Sequence, residues 1–202
     1  MISFFNLLDK DDFSAEVDKL AGAFRKTHGL GKVHQLGLVV PEVEEAAKSL
    51  EDKVGPFFVA SGKTGLWRER GSVRDFHGKM GLAYYKGHEL ELLEQGQGSD
   101  FYRRCLGPAG EIRVQHLGFL CRDVDREAKR LESAGFPVYV RGLIKSGPLK
   151  IDFAYMDTEK EAGYIIEFIS WKFAEIPVRP SPALTGLMAR LLRLFGKRSL
   201  PL

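Results

Sequence analysis

Cysteine is nearly missing from the 202-residue chain: Cys105 and Cys121 are the whole thiol inventory. Two thiols are too few for a disulfide framework and suit a reducing compartment. Long apolar runs are missing too. No stretch reaches the ~18 uninterrupted apolar residues of a membrane-spanning helix. Met1 to Leu8 meets Asp9, Lys10, Asp11 and Asp12 before it is long enough for a signal core, so no leader is expected. The chain also lacks a Lys/Arg run of the kind that tracks a phosphate backbone. With a net charge of only +3, nucleic acid is not an expected partner. Cytoplasm is the expected location. What is present, 44% apolar and 28% charged residues, is the composition of a globular protein large enough to bury a real core.

The chain is organised around a short pattern that occurs twice. Val33-His34-Gln35-Leu36-Gly37-Leu38-Val39-Val40 aligns with Val114-Gln115-His116-Leu117-Gly118-Phe119-Leu120-Cys121 when Leu36-Gly37 is laid on Leu117-Gly118. At the same offset of 81, Val43 falls on Val124, Ala47 on Ala128, Lys48 on Lys129, Leu50 on Leu131 and Glu51 on Glu132. A constant offset through a strand and the following helix marks a duplicated module.

In order, residues 1–31 read as a helical extension with Phe13, Val17, Leu20 and Phe24 on one face. Residues 32–95 form the first module: strand Val33 to Val40, helix Glu42 to Leu50, and strand Phe57 to Ala60. A loop with Gly62, Gly65 and Gly71 then carries Trp67, Arg68 and Arg70. Strand Lys79 to Tyr85, a tight turn and strand Glu89 to Glu94 complete it. Residues 96–112 are a Gly-rich connector with a short helix around Ser99 to Leu106. Residues 113–172 repeat the pattern, with strands over Val114 to Cys121, Phe136 to Arg141, Lys150 to Met156 and Tyr164 to Ser170 and a helix over Val124 to Ala134. Leu90-Glu91-Leu92-Leu93 is echoed by Ile166-Glu167-Phe168-Ile169. The expected fold is α+β, two tandem βαβββ modules forming a cleft, with helical extensions at both ends.

Equivalent positions on the first and fourth strands of such modules converge on a shared axis. Here they are Gln35, Glu91, His116 and Glu167. Two carboxylates facing each other in a low-dielectric cleft are unstable unless one is protonated or a cation joins them. One imidazole nitrogen and three oxygens suit a divalent ion.

This arrangement resembles the vicinal oxygen chelate superfamily, most closely its glyoxalase I and methylmalonyl-CoA epimerase branch. The resemblance rests on the two modules, the Gln/Glu/His/Glu set, the phrase Leu90-Glu91-Leu92-Leu93-Glu94 and intervals of 56, 25 and 51 residues between the four positions. In that pattern the first ligand directly precedes an apolar-Gly pair, which selects Gln35 over its neighbour His34; strand alternation aims the two at opposite faces. The resemblance implies a metal such as Zn, Ni, Co, Mn or Fe, held by Gln35, Glu91, His116 and Glu167. It further implies an enolate stabilised on that metal after Glu167 removes a proton next to a carbonyl. A second acid–base group, which epimerisation requires, has no carboxylate on Lys79 to Tyr85, leaving Asp75 and His77 as the nearby candidates. The catalytic set is then Glu167, Glu91 and His77. Trp67, Arg68 and Tyr84 are candidate substrate contacts for an acyl thioester or a hydroxy-carbonyl compound. A homodimer is expected. The competing readings are a non-catalytic small-molecule binder of the same fold and an iron-dependent ring-cleaving dioxygenase.

Residues 173–202 are a Pro-containing linker and a helix whose Leu184, Leu187, Met188, Leu191, Leu192 and Phe195 form one stripe. From Ile176 onward there are five basic residues and no acidic one. The stripe should be buried, either on its own domain or a partner subunit, or on a membrane surface.

Overall fold

A computed structural model describes residues 2–107, 111–194 and 199–201. Pro108 and Gly110 of the connector, and Phe195, Lys197 and Arg198 of the tail, lie outside the described residues.

The first module runs β1 (Gln35–Val39), α4 (Val43–Val54), β2 (Phe58–Lys63), β5 (His77–Tyr85) and β6 (His88–Leu93). The second runs β7 (Arg113–Leu120), α5 (Val124–Glu132), β8 (Val138–Ser146), β9 (Leu149–Met156) and, after the single turn α6 (Glu159–Ala162), β10 (Ile165–Phe173). Each has the same internal order: the first strand is parallel to the fourth, which pairs with the third, which pairs with the second. The modules join within one chain, because β1 pairs antiparallel with β7. One apolar cluster lies under α4, α5 and the N-terminal helices and includes Leu36, Leu38, Leu117 and Phe168. Another fills the opposite, concave side around Trp67, Phe101 and Tyr155.

Four expectations are corrected. The single N-terminal helix is three short ones, α1 (Phe4–Leu8), α2 (Phe13–Lys19) and α3 (Gly22–Thr27). Asp12 caps α2 by accepting from Ala15 N–H, and the chain breaks where Leu20 is extended and Ala21 is left-handed. Phe13, Val17, Leu20 and Phe24 are buried regardless. The helix in the connector is only a 3-10 turn over Arg103–Cys105.

The expected loop around Trp67 is instead a hairpin, β3 (Leu66–Glu69) and β4 (Ser72–Val73). Its two turn residues, Arg70 and Gly71, both have positive φ, which matches the right-handed twist of the strands. β3 pairs with β8, so the first module adds strands to the edge of the second and carries Trp67 into the concave side.

The tail begins with β11 (Ile176–Val178), which folds back on β10, and ends with β12 (Leu200–Pro201) beside β2. Between them α7 (Pro182–Leu194) crosses β2 and β5. Its buried residue is Ala189, with Met188 and Leu192 packed alongside, whereas Leu184, Leu187 and Leu191 are 56%, 54% and 41% exposed. A helix lying across strands touches them along a narrow arc, so the apolar stripe is wider than the contact. Among the described residues no helix is long and apolar enough to cross a membrane.

Candidate metal centre

Strand alternation decides what faces the concave side. Leu36 and Leu38 point under the helices, leaving Gln35 and Gly37 on the other face of β1. The cross-strand partners of Gln35, Gly37 and Gly118 are Glu89, Glu91 and Glu167 respectively, and Gly37 also faces His116 across the module junction.

The duplicated glycines now have a reason. A Cβ on Gly37 would fall inside the His116 ring, and a Cβ on Gly118 would meet Gln35 Oε1 at 2.7 Å. Each module's glycine therefore clears the space that the other module's polar side chain occupies.

His116 Nε2 lies 3.1 Å from Glu167 Oε2 and 3.4 Å from Glu91 Oε2. One ligand atom from each of the three residues lies within 4.8 Å of the others. His116 is fully buried, and Glu167, Gln35 and Glu91 are 3%, 2% and 9% exposed. Gln35 Oε1, Glu91 Oε2, His116 Nε2 and Glu167 Oε2 are all buried without a hydrogen-bond partner. A native interior rarely leaves one such atom orphaned; here those of Glu91, His116 and Glu167 cluster together, and Gln35, which lines the same cavity as the two acids, adds a fourth. Three oxygens and one imidazole nitrogen, carrying two negative charges, fit a divalent cation.

The protonation states show the same demand. Burial alone would depress the His116 pKa, but the Glu167 and Glu91 carboxylates outweigh it and lift the imidazole to about 9. Burial pushes the Glu167 carboxyl up to about 7 against the pull of His116. In the absence of a metal, a proton on His116 supplies the positive charge between two acids.

Each donor is held from behind. Gln35 Nε2 donates to Glu89 Oε1 at 2.8 Å, and the Tyr84 hydroxyl donates to Glu89 Oε2 at 2.7 Å. His116 Nδ1 lies 2.9 Å from Gln115 Oε1, and Gln115 Nε2 donates to Cys105 Sγ at 3.4 Å. The β1–β7 register slips between Gly37 and Leu38, leaving Gln115 as an extra residue opposite β1. That bulge allows neighbouring side chains to meet. On β9, opposite Glu167, stands Tyr155, whose hydroxyl is 2.9 Å from that of Tyr102.

Gln35, Glu91 and Glu167 line a cavity of about 50 Å³ together with Trp67, Tyr102 and Tyr155. His34 does not line it: half-buried, it has its ring 6.3 Å from that of Tyr84. His77 is not brought into the set. It opens β5 as an exposed residue whose backbone pairs with Gln97. Arg68 is also exposed, because it alternates with the inward Trp67 on β3. Tyr84 reaches Glu89 rather than the cavity. Sequence reading missed Glu89, Gln115, Tyr102 and Tyr155. Glu89 was within reach, since it stands two residues before Glu91 on the same strand and so shares its face.

Comparison with solved structures finds likenesses of low identity. Methylmalonyl-CoA epimerase from Mycobacterium tuberculosis is 16% identical, with a TM-score of 0.48 over 75% of this chain and 89% of that one. A variant methylmalonyl-CoA epimerase from Streptomyces coelicolor in complex with 2-nitronate-propionyl-CoA is 15% identical, with a TM-score of 0.49 over 74% and 99%. A mutant 4-hydroxymandelate synthase from Streptomyces coelicolor is 12% identical, with a TM-score of 0.47 over 82% of this chain and 55% of that one. Among curated protein sequences none matches. Residues 34–155, more than half of the chain, match the Glyoxalase/Bleomycin resistance protein/Dioxygenase superfamily, and the chain belongs to it.

Proposed function

We propose that the protein is a metal-dependent isomerase or lyase that removes a proton next to a carbonyl in a small-molecule substrate, an acyl thioester or a hydroxy-carbonyl compound. The observation that carries this reading is the cluster of orphaned buried ligand atoms of Glu91, His116 and Glu167 at the module junction, with Gln35 lining the same cavity. Gln35, Glu91, His116 and Glu167 would hold the ion, of a borderline kind such as Zn, Ni, Co, Mn or Fe. When bound, it supplies Lewis acidity toward a carbonyl oxygen, which lowers the barrier to losing the neighbouring proton.

Glu167 is the base. Off the ion, burial favours its protonated form, which suits it to accept a proton, and Tyr155 stands opposite it on β9. Glu91 completes the charge match, and the Trp67 and Tyr155 rings keep bulk water away. Among the described residues the other carboxylates lining the cavity are Glu91, taken here as a ligand, and Glu94, which is paired with Lys79 and accepts from Val43 N–H. Glu89 is tied to Gln35 and Tyr84, and His77 lies outside the cavity. Chemistry in which one base removes and returns the proton therefore fits better than epimerisation. Ring cleavage by iron fits less well, since that triad calls for two imidazoles and the cavity's donor set has one.

The test has two arms. Protein purified without added ions should contain, or take up, about one divalent ion per chain. The loaded protein should catalyse solvent deuterium exchange next to the carbonyl in a panel of acyl thioesters and hydroxy-carbonyl adducts, and Glu167→Gln should abolish exchange. Failure to bind any divalent ion would leave a non-catalytic small-molecule binder.

A further inference from the structure

The cavity at the donor atoms, about 50 Å³, takes an oxygen-bearing headgroup and little else, since one water-sized probe already occupies ~10–15 Å³. A second chamber opens beside it, beneath α7. Its volume is about 390 Å³, inside the ~300–1,000 Å³ range of small-molecule sites. The two cavities adjoin, with Met80, Ile151 and Trp171 lining both, and Leu82, Leu149 and Met188 extend the apolar wall of the second. Such walls hold water poorly and a hydrocarbon well. At the junction Trp171 buries its indole Nε1 without a hydrogen-bond partner, which leaves a donor where the two cavities meet.

We infer that the substrate is amphiphilic: its carbonyl end reaches Glu167 and its apolar chain lies in the chamber between α7 and the sheet. This rests on the metal-dependent reading above and adds the substrate class. α7 then has a role in the reaction cycle as the wall of the chain site, contributing Thr185 and Met188.

The test is calorimetric titration of the metal-loaded protein with straight-chain carboxylates from butyrate to laurate, metal content being measured on the same samples. Affinity should rise about fourfold per added methylene until the chamber is full. Leu149→Trp or Thr185→Trp, each narrowing the chamber, should flatten the rise with chain length. Leu187→Glu, on the exposed face of α7, should leave the whole series unchanged; circular dichroism confirms folding of all three variants. A series independent of chain length in fully loaded protein overturns the inference and leaves the metal reading standing. A steep series in protein that takes up no divalent ion supports the chamber and overturns the metal reading. Sensitivity to Leu187→Glu but to neither tryptophan would place the chain on the outside of α7 and overturn the inference.

Discussion

The two modules share a backbone plan but secure their neutral donors differently. In the first, a carboxylate stands behind an amide: Glu89, fixed by Tyr84, accepts from Gln35 Nε2 and so leaves Oε1 facing the site. In the second, an amide stands behind an imidazole. Gln115 gives its Nε2 protons toward Cys105, so its Oε1 accepts from His116 Nδ1 and leaves Nε2 facing the site. Both arrangements settle a two-fold ambiguity, of amide flip in one case and of tautomer in the other. The difference lies in charge. The first module buries an extra acid, which burial pushes up to about 7, and the second does the same work with neutral groups. Duplicated folds therefore preserve the geometry of a site more strictly than the chemistry that supports it.

Removing a donor should break the comparison most severely. His116→Ala takes away the nitrogen and leaves Glu91 and Glu167 facing each other, so metal affinity should fall by more than the ~100-fold typical of losing an outer partner. Gln35→Ala removes a weaker amide oxygen and should lose less. Competition with a chromogenic chelator ranks the two. Equal losses would mean that the modules contribute alike.

The paired glycines come next. Gly37→Ala drives a methyl into a fully buried imidazole whose Nδ1 is held by Gln115, and a destabilisation of about 1–3 kcal/mol is expected, together with weakened metal binding. Gly118→Ala meets Gln35 and the tip of Ile169 at 2.7–2.9 Å, a looser approach than the overlap with the His116 ring at Gly37, so its effect should be smaller. Urea unfolding of the metal-free proteins measures both.

The fold was legible because the offset of 81 repeats a full strand–helix unit, and hydrophobic periodicity survives duplication. The positions of Gln35, Glu91 and Glu167 on the cavity and of His116 against the two acids follow from the same repeat and from strand alternation. What escaped depends on contacts distant in sequence. The hairpin carrying Trp67 forms only because the edge of β8 is open to receive it. The His116–Gln115 bond needs a bulge that no local pattern announces. The exposed leucines of α7 looked buried because periodicity reports an apolar face but not how wide its support is.

Exchanging the supports sharpens the comparison further. Glu89→Gln and Gln115→Leu should each weaken metal binding about 10- to 100-fold. Only the first should also change the pH dependence. The folded-state pKa of Glu89 is raised above its ordinary value of 4.5, so its contribution is present below pH 4.5 and lost as pH rises through about 7. Glu89→Gln should therefore stabilise the metal-free protein at pH 8, by roughly 3 kcal/mol at most, and do nothing comparable at pH 4. Thermal unfolding across that window checks it.

The smallest effect is expected at His34, the neighbour that competes with Gln35 in the sequence and the counterpart of Gln115 at the offset of 81. Burial, with the nearby charges of His88 and Arg179, lowers its pKa from 6.5 to about 4. An imidazole kept neutral by folding contributes stability that is fully present above pH 6.5 and is lost as pH falls through 4. Because the ring is only half-buried, this should amount to about 1 kcal/mol, some 2–4 °C in a chain of this length. His34→Gln cannot titrate and should flatten that part of the stability curve while leaving metal affinity within twofold. A large loss of metal would instead make His34 the first ligand, turning β1 by one residue and moving the first module's donor to the other face of the strand.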